Sequence, residues 1–175
     1  MENYYEHLLA PDGNNEFVTY IISMLDDLNY GLVRIKINGK KVTNIQIMAE
    51  NNQHTLSFED CEILNEAIID YLEKNGKLFV DYSLEISSPG IERPLTRKRD
   101  FNTWSNNFVQ IKLNSYRDFP KKFNARLLGF SENKIKIFIE NGKDLNGEFN
   151  LDPLMVKEVI LSWVEKDPPK PNLIS

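Results

Sequence analysis

Residues 84–95, Leu-Glu-Ile-Ser-Ser-Pro-Gly-Ile-Glu-Arg-Pro-Leu, restrict the fold of this chain more than any other stretch. Leu84, Glu85 and Ile86 alternate as in a half-buried strand, and Pro89 and Pro94 follow close behind. Proline fixes φ at about −65° and offers no N–H, so neither a helix nor the interior of a sheet runs through this point. Pro89-Gly90 suits the central pair of a type II turn, whose second residue takes a positive φ. Pro94 holds Arg93 in an extended conformation. The chain therefore breaks into a part before this elbow and a part after it.

The two parts differ in charge. Residues 1–90 carry 15 Asp+Glu against 6 Lys+Arg, a charge of −9, and residues 91–175 carry 11 against 15, a charge of +4. The whole-chain charge of −5 conceals this dipole. Such asymmetry points to two domains facing different partners, one basic and one anionic. It speaks of association, not of fold. A chain of 175 residues suits one mid-sized domain or two small ones of roughly 80–90 residues, each with a modest core. At 41% hydrophobic and 27% charged residues it has the composition of a folded, soluble protein. The single cysteine, Cys61, excludes an internal disulfide and a Cys-based zinc site. With no signal-peptide pattern, the expected location is cytoplasmic. No apolar run approaches about 18 residues, so no membrane span is expected.

Before the elbow the periodicity alternates between helix and strand. Residues 1–13 lack a clear period and read as a flexible or loosely docked end. Phe17, Ile21, Met24, Leu25 and Leu28 stand at helical spacing, with Asn14 or Asn15 as N-cap and Gly31 as the stop. Leu32–Ile37 alternates as a strand with Arg34 and Lys36 facing away from Val33, Ile35 and Ile37, and Asn38-Gly39 turns it onto a second strand, Val42–Ala49. Ser57-Phe58-Glu59-Asp60 is a capping box for a helix that carries Cys61, Leu64, Ala67, Ile68, Tyr71 and Leu72 on one stripe and stops at Gly76. Phe79–Ile86 is a third strand. The order α-β-β-α-β predicts a three-stranded sheet covered on one face by two helices.

After the elbow, Thr96–Trp104 suits a short capped helix, and five short strands follow at Phe108–Leu113, Phe123–Phe130, Lys134–Glu140, Gly147–Leu151 and Met155–Leu161. Five strands in so few residues suit a small, strongly bent barrel. The proline-rich tail around Asp167–Pro171 is expected to be disordered.

Three charged or polar sets carry the functional expectations. Glu59, Glu62, Glu66, Asp70 and Glu73 recur every three or four residues, forming one helix face opposite the apolar stripe. Each alone suits a solvated helix surface; together the five like charges call for a cationic partner, here a protein. Arg93, Arg97, Lys98 and Arg99 lie within seven residues. They read either as a solvated turn or as a phosphate-binding cluster of largely sequence-independent affinity. Lys112, Arg117, Lys121, Lys122 and Arg126 surround Tyr116 and Phe119, a mixture that suits single-stranded RNA, although Phe119 before Pro120 reads better as a core plug. At the elbow, Ser87, Ser88, Pro89, Gly90 and Pro94 read as a rigid linker, with the two serines and the Gly90 amide as a polar edge for a partner. Catalysis is not expected. His7 and His54 fall in loops, Cys61 suits a small core residue, and neither a phosphate-binding glycine loop nor a metal-ligand grouping is present.

Leu84–Leu95 resembles the signature of the bacterial ribosome maturation factor RimP family, in which a strand ends in S-S-P-G and continues to R-P-L. Ser57–Cys61 is similar to that family's acidic, cysteine-bearing helix start. The likeness runs over roughly residues 14–164, with two departures: residues 74–78 lack an acidic-proline turn, and residues 144–152 form a longer hairpin. The resemblance implies an α+β protein: an N-terminal KH-like or ferredoxin-like domain, then a C-terminal Sm-like (SH3-like) barrel. It further implies a cofactor-free, monomeric assembly factor without enzymatic activity. That factor binds the free small ribosomal subunit, touching ribosomal RNA and a basic ribosomal protein near the decoding centre. The expected division is residues 1–90 for the N-terminal domain, 91–104 for the elbow and linker helix, 105–165 for the barrel and 166–175 for the tail. In the competing expectation the chain is an Sm-like regulatory RNA-binding module, which would form a ring and bind free oligonucleotides.

Overall fold

A computed structural model of the protein describes residues 4–11, 15–75, 79, 81–114, 118–140 and 145–162. The chain forms two units, one spanning Leu9–Pro89 and the other assembled from Met1–Leu8 together with Gly90–Ser175. It is a mixed α+β protein with a separate sheet in each unit.

In the first unit, helix α2 (Asn15–Asp27) buries Phe17, Ile21 and Leu25 of the predicted stripe together with Val18, and leaves Met24 half-buried. The helix stops before Gly31. Asn29 takes a left-handed φ of 63°, while Tyr30 N–H donates to Leu25 O and Asn29 N–H to Asp26 O. These two bonds are a Schellman cap with asparagine in the usual glycine position. Leu28 is consequently exposed rather than in the stripe. Strands β1 (Gly31–Asn38) and β2 (Thr43–Glu50) pair antiparallel, and β3 (Tyr82–Ser87) joins β2 in parallel, giving the order β1-β2-β3. Gly39 between β1 and β2 has φ 121°, and a Cβ there would lie 2.0 Å from Val42 O, so only glycine fits. Helix α3 (Phe58–Lys74) supplies the crossover between the parallel strands and packs on β3, while α2 packs on β1.

The ladder departs from strict alternation in β1. A bulge between Leu32 and Arg34 leaves Leu32, Val33, Arg34 and Ile35 all buried, so Arg34, expected on the outer face, lies inside. The third strand begins at Tyr82 rather than Phe79, and Phe79 instead stands edge-on to Phe17 at 5.4 Å between ring centres. Asn14, Gly76 and Val80 fall outside the described residues.

In the second unit, β4 (Phe108–Leu113), β5 (Lys122–Ser131), β6 (Lys134–Ile139), β7 (Gly147–Leu151) and β8 (Val156–Leu161) form one antiparallel sheet. Its order is β7-β6-β5-β4-β8. Strands β7 and β8 stand at opposite ends, and among the described residues no pairing closes the sheet into a barrel. Alternate residues of β4 and β6 (Val109, Ile111, Leu113, Ile135, Ile137 and Ile139) are buried in the core. Helix α4 (Lys98–Thr103) adds Phe101 to that core, and a 3₁₀ turn at Pro153–Met155 leads into β8. The elbow feeds this sheet directly. Leu161 N–H donates to Arg93 O and Leu95 N–H to Val159 O, with Pro94 opposite Ile160. Arg93–Leu95 thus lines the outer side of β8, an edge position where the missing N–H of proline costs nothing. Gly90 takes φ 67°, the left-handed value the turn requires, with no crowding at its Cα.

The first residues belong to this second unit rather than forming a loose end. Tyr5 N–H donates to Thr96 O at 3.0 Å and Tyr4 bridges Arg97. Leu8, in the short helix α1 (Glu6–Leu9), is 1% exposed within the core. The Nε2 of His7 lies 3.2 Å from Pro153 O and 3.1 Å from Val156 O. Two carbonyls can only accept, so Nε2 carries the proton. The tail at 166–175 lies outside the described residues.

Candidate functional site: two charged surfaces

The first surface is α3, and its placement begins with its cap. Ser57 Oγ accepts from Asp60 N–H at 3.1 Å, and Asp60 Oδ2 accepts from Ser57 N–H at 2.8 Å, closing the predicted capping box. The other Asp60 oxygen accepts from Tyr30 Oη at 2.5 Å, tying the helix start to the residue that ends the α2 cap. The Tyr30 bond, followed by the Ser57 N–H, holds the Asp60 carboxyl below the usual aspartate range, while the same bond raises the Tyr30 hydroxyl. Leu64, Ile68 and Leu72 fix the rotation of the helix by being fully buried. Glu59, Glu62, Glu66, Asp70 and Glu73 consequently all face water on the opposite side. Asp70 pairs with Lys74 at 2.6 Å, an exposed contact one helical turn apart. Cys61 is half-buried; burial, then the charge of Asp60, pushes its thiol up, the opposite of an activated nucleophile. His54 lies in a loop as expected, between β2 and α3, with its Nδ1 3.1 Å from buried Glu50.

The second surface differs from the expectation. Of the four cations after the elbow, Arg93 is 2% exposed and Arg97 1% exposed, and both face the carboxylate of Asp100, itself 1% exposed. Asp100 Oδ1 accepts from Arg97 Nε at 2.9 Å and from its terminal nitrogen at 2.7 Å, two charge-assisted bonds converging on one oxygen. Its Oδ2 accepts the N–H groups of Thr96 at 3.1 Å and Arg97 at 3.0 Å, which starts α4. The Arg93 guanidinium lies 5.0 Å from the centre of the Trp104 ring. Arg93 and Arg97 are therefore neither a solvated turn nor available to phosphate: pairing with Asp100 lets their charges enter the core. Lys98 is half-buried, its Nζ 5.8 Å over the Tyr5 ring, and Arg99 is exposed.

The third cationic set is only partly described, because Tyr116 and Arg117 lie outside the described residues. Lys121 and Lys122 are exposed at the start of β5. Lys112 bonds Glu158 across the β4–β8 ladder at 2.5 Å. Arg126 lies 3.3 Å from Glu140 and 4.6 Å over the Phe108 ring. Phe119 is half-buried against Phe123 and Phe149, as a core plug would be. At the elbow, Ser87 ends β3 half-buried, Ser88 and Gly90 are exposed, and Pro89 and Pro94 are buried.

The composition of the charged runs gave no hint of the Asp100 cluster. The signal lay in the three-residue spacing of Arg97 and Asp100, which repeats one half of the α3 box: Asp100 Oδ2 accepts the N–H of Arg97 as Asp60 Oδ2 accepts that of Ser57. Among the described residues no group of three or more His, Cys, Asp or Glu is placed to hold a metal ion. Nor is any described helix long and apolar enough to cross a membrane.

Residues 20–92 match the family model of the RimP N-terminal domain. That span takes in most of α2, the whole three-stranded sheet, the acidic helix and the first part of the elbow. Over this span the chain is similar to the RimP family, a similarity that implies a role in ribosome maturation in association with the small subunit.

Proposed function

We propose that this protein is a cytoplasmic, non-catalytic maturation factor that binds the free small ribosomal subunit as a monomer. The exposed carboxylates Glu59, Glu62, Glu66, Asp70 and Glu73 meet a basic ribosomal protein near the decoding centre. Lys98, Arg99, Lys121, Lys122 and Arg126 meet ribosomal RNA, and the Ser87–Gly90 edge contributes polar contacts. The C-terminal unit is read as an Sm-like module, a reading supported by its run of five short antiparallel strands. The observation that carries the proposal is the RimP N-terminal domain over residues 20–92, whose acidic helix turns five carboxylates to water.

Co-sedimentation with separated ribosomal subunits at low and moderate salt tests it. The expected result is association with the small subunit alone, weakening as salt rises, because contacts to phosphates release counterions. Equal binding to both subunits, or to neither, overturns it.

A further inference from the structure

One face of the C-terminal sheet has an arrangement that the charged runs do not explain. The register places Phe108 opposite Arg126 and Arg126 opposite Phe138, so the three side chains form one row across β4, β5 and β6. All three are half-buried and lie on the face away from Val109, Ala125, Leu127 and Ile137, which fill the core. The guanidinium of Arg126 sits 4.6 Å over the Phe108 ring, with long contacts of 3.3 and 3.4 Å to Glu140 and a bond of 3.4 Å to Asn106 O. Polar groups continue the face along the strands. Gln110 pairs with Asn124 and Lys112 with Lys122 one and two steps further along β4, and Lys136 lies beside Phe138 on β6. Among the described residues neither Lys122 nor Lys136 is engaged in an ion pair.

We infer that this face is a stacking platform for single-stranded RNA, with Phe108 and Phe138 presenting ring surfaces to bases and Arg126 bridging between them. Strands lie about 4.8 Å apart, so the two rings are separated by about 10 Å, too far for one base to cover both. They therefore take two unstacked bases, which only a single strand or loop can offer, since a duplex hides its base faces. Lys136, one step from Phe138 along β6, and Lys122, two steps and about 14 Å from Arg126 along β5, suit phosphates of the strand that carries those bases. A protein partner would find two half-buried rings broken by a cation, a poor apolar anchor. The inference rests on the ribosomal reading for its biological target, but not for its chemistry.

Fluorescence anisotropy with a labelled ten-nucleotide RNA single strand, read alongside co-sedimentation with small subunits, tests it. Phe108→Leu and Phe138→Leu, which keep apolar bulk but lose the ring, should each weaken oligonucleotide binding about tenfold. Lys122→Gln should flatten the salt dependence by about 0.7 in log Kd against log salt for each phosphate it no longer neutralises. Thermal unfolding of each variant separates a lost ring from a lost fold. Leucine variants that bind like the parent, or a parent that binds duplex as tightly as single strand, overturn the platform. Subunit binding that persists in those leucine variants would then leave the maturation reading standing. A parent that binds the oligonucleotide through the rings but not the subunit keeps the platform and removes its ribosomal target.

Discussion

Helix α3 and the segment Arg93–Asp100 are both dense in charge, and they accommodate it in opposite ways. On α3 the apolar stripe takes one side and five carboxylates take the other, so each charge keeps its water. In Arg93–Asp100 the main chain is needed as an edge to β8 and as the start of α4, which carries Arg93 and Arg97 inside. Their charges persist there because Asp100 faces both, accepting two short N–H bonds from Arg97 on Oδ1 and standing 3.7 Å from Arg93. The difference teaches that charge density marks a surface only where an adjacent stripe has already claimed the core. Where backbone pairing directs the chain inward, the same residue types become structure.

The comparison breaks most visibly at Asp100. Asp100→Asn removes the carboxylate that both guanidinium groups face, and should cost the C-terminal unit about 3–5 kcal/mol, the usual penalty for removing one member of a buried pair. Urea unfolding monitored through Trp104 would register it. A loss under about 1 kcal/mol would place the two arginines with the solvated charges after all. Next in size, Glu62→Lys, Glu66→Lys and Glu73→Lys together should leave stability within about 0.5 kcal/mol per site. Small-subunit affinity should meanwhile fall tenfold or more; full affinity in the triple variant would reduce the acidic face to a solvated helix surface.

The smallest effect sharpens the contrast within α3 itself. Ser57→Ala should cost about 1 kcal/mol through the lost cap. The carboxyl of Asp60 is lowered in the folded protein, chiefly by Tyr30, so its contribution is present above the ordinary aspartate pKa of about 4. It is lost as pH falls through the lowered folded value. Tyr30→Phe should therefore flatten the stability–pH profile below about pH 4, as followed by circular dichroism of the N-terminal unit. An unchanged acid limb would show that the hydroxyl contributes nothing to that carboxylate.

How far these elements could be read from the sequence follows the range of the interactions that make them. The capping box of α3 and its stripe Leu64, Ile68, Leu72 depend on neighbours three or four residues away, and both were legible. So were the five strands of the C-terminal sheet, within a residue or two of their ends. The burial of Arg34 was not, because a bulge is a property of the pair β1–β2 and not of either strand. The helix stop at Asn29 needed an asparagine to act as glycine, which only the left-handed φ reveals. Arg93 entered the core through pairing of its segment with a strand some 65 residues further on, and Arg97 through Asp100 and a bridge back to Tyr4. The acidic face could be predicted because a helix is its own frame; the buried arginines could not, because their frame is the rest of the unit.

The docking of Tyr4–Leu8 carries a consequence for how the chain is made. These residues are made before the Leu9–Pro89 unit, yet their distant partners Thr96, Arg97, Pro153 and Val156 are synthesised more than 80 residues later. In the interval the Leu9–Pro89 unit has its whole sequence available, while Leu8 and Tyr5 have nowhere to go. The second unit is completed only when Tyr4–Leu8 meets the strands made after the first unit, so it closes late, by a loop that spans the whole first unit. A bulky fusion placed directly at the amino terminus would act on that last step, slowing the closure of a unit that lies, by sequence, at the other end of the protein.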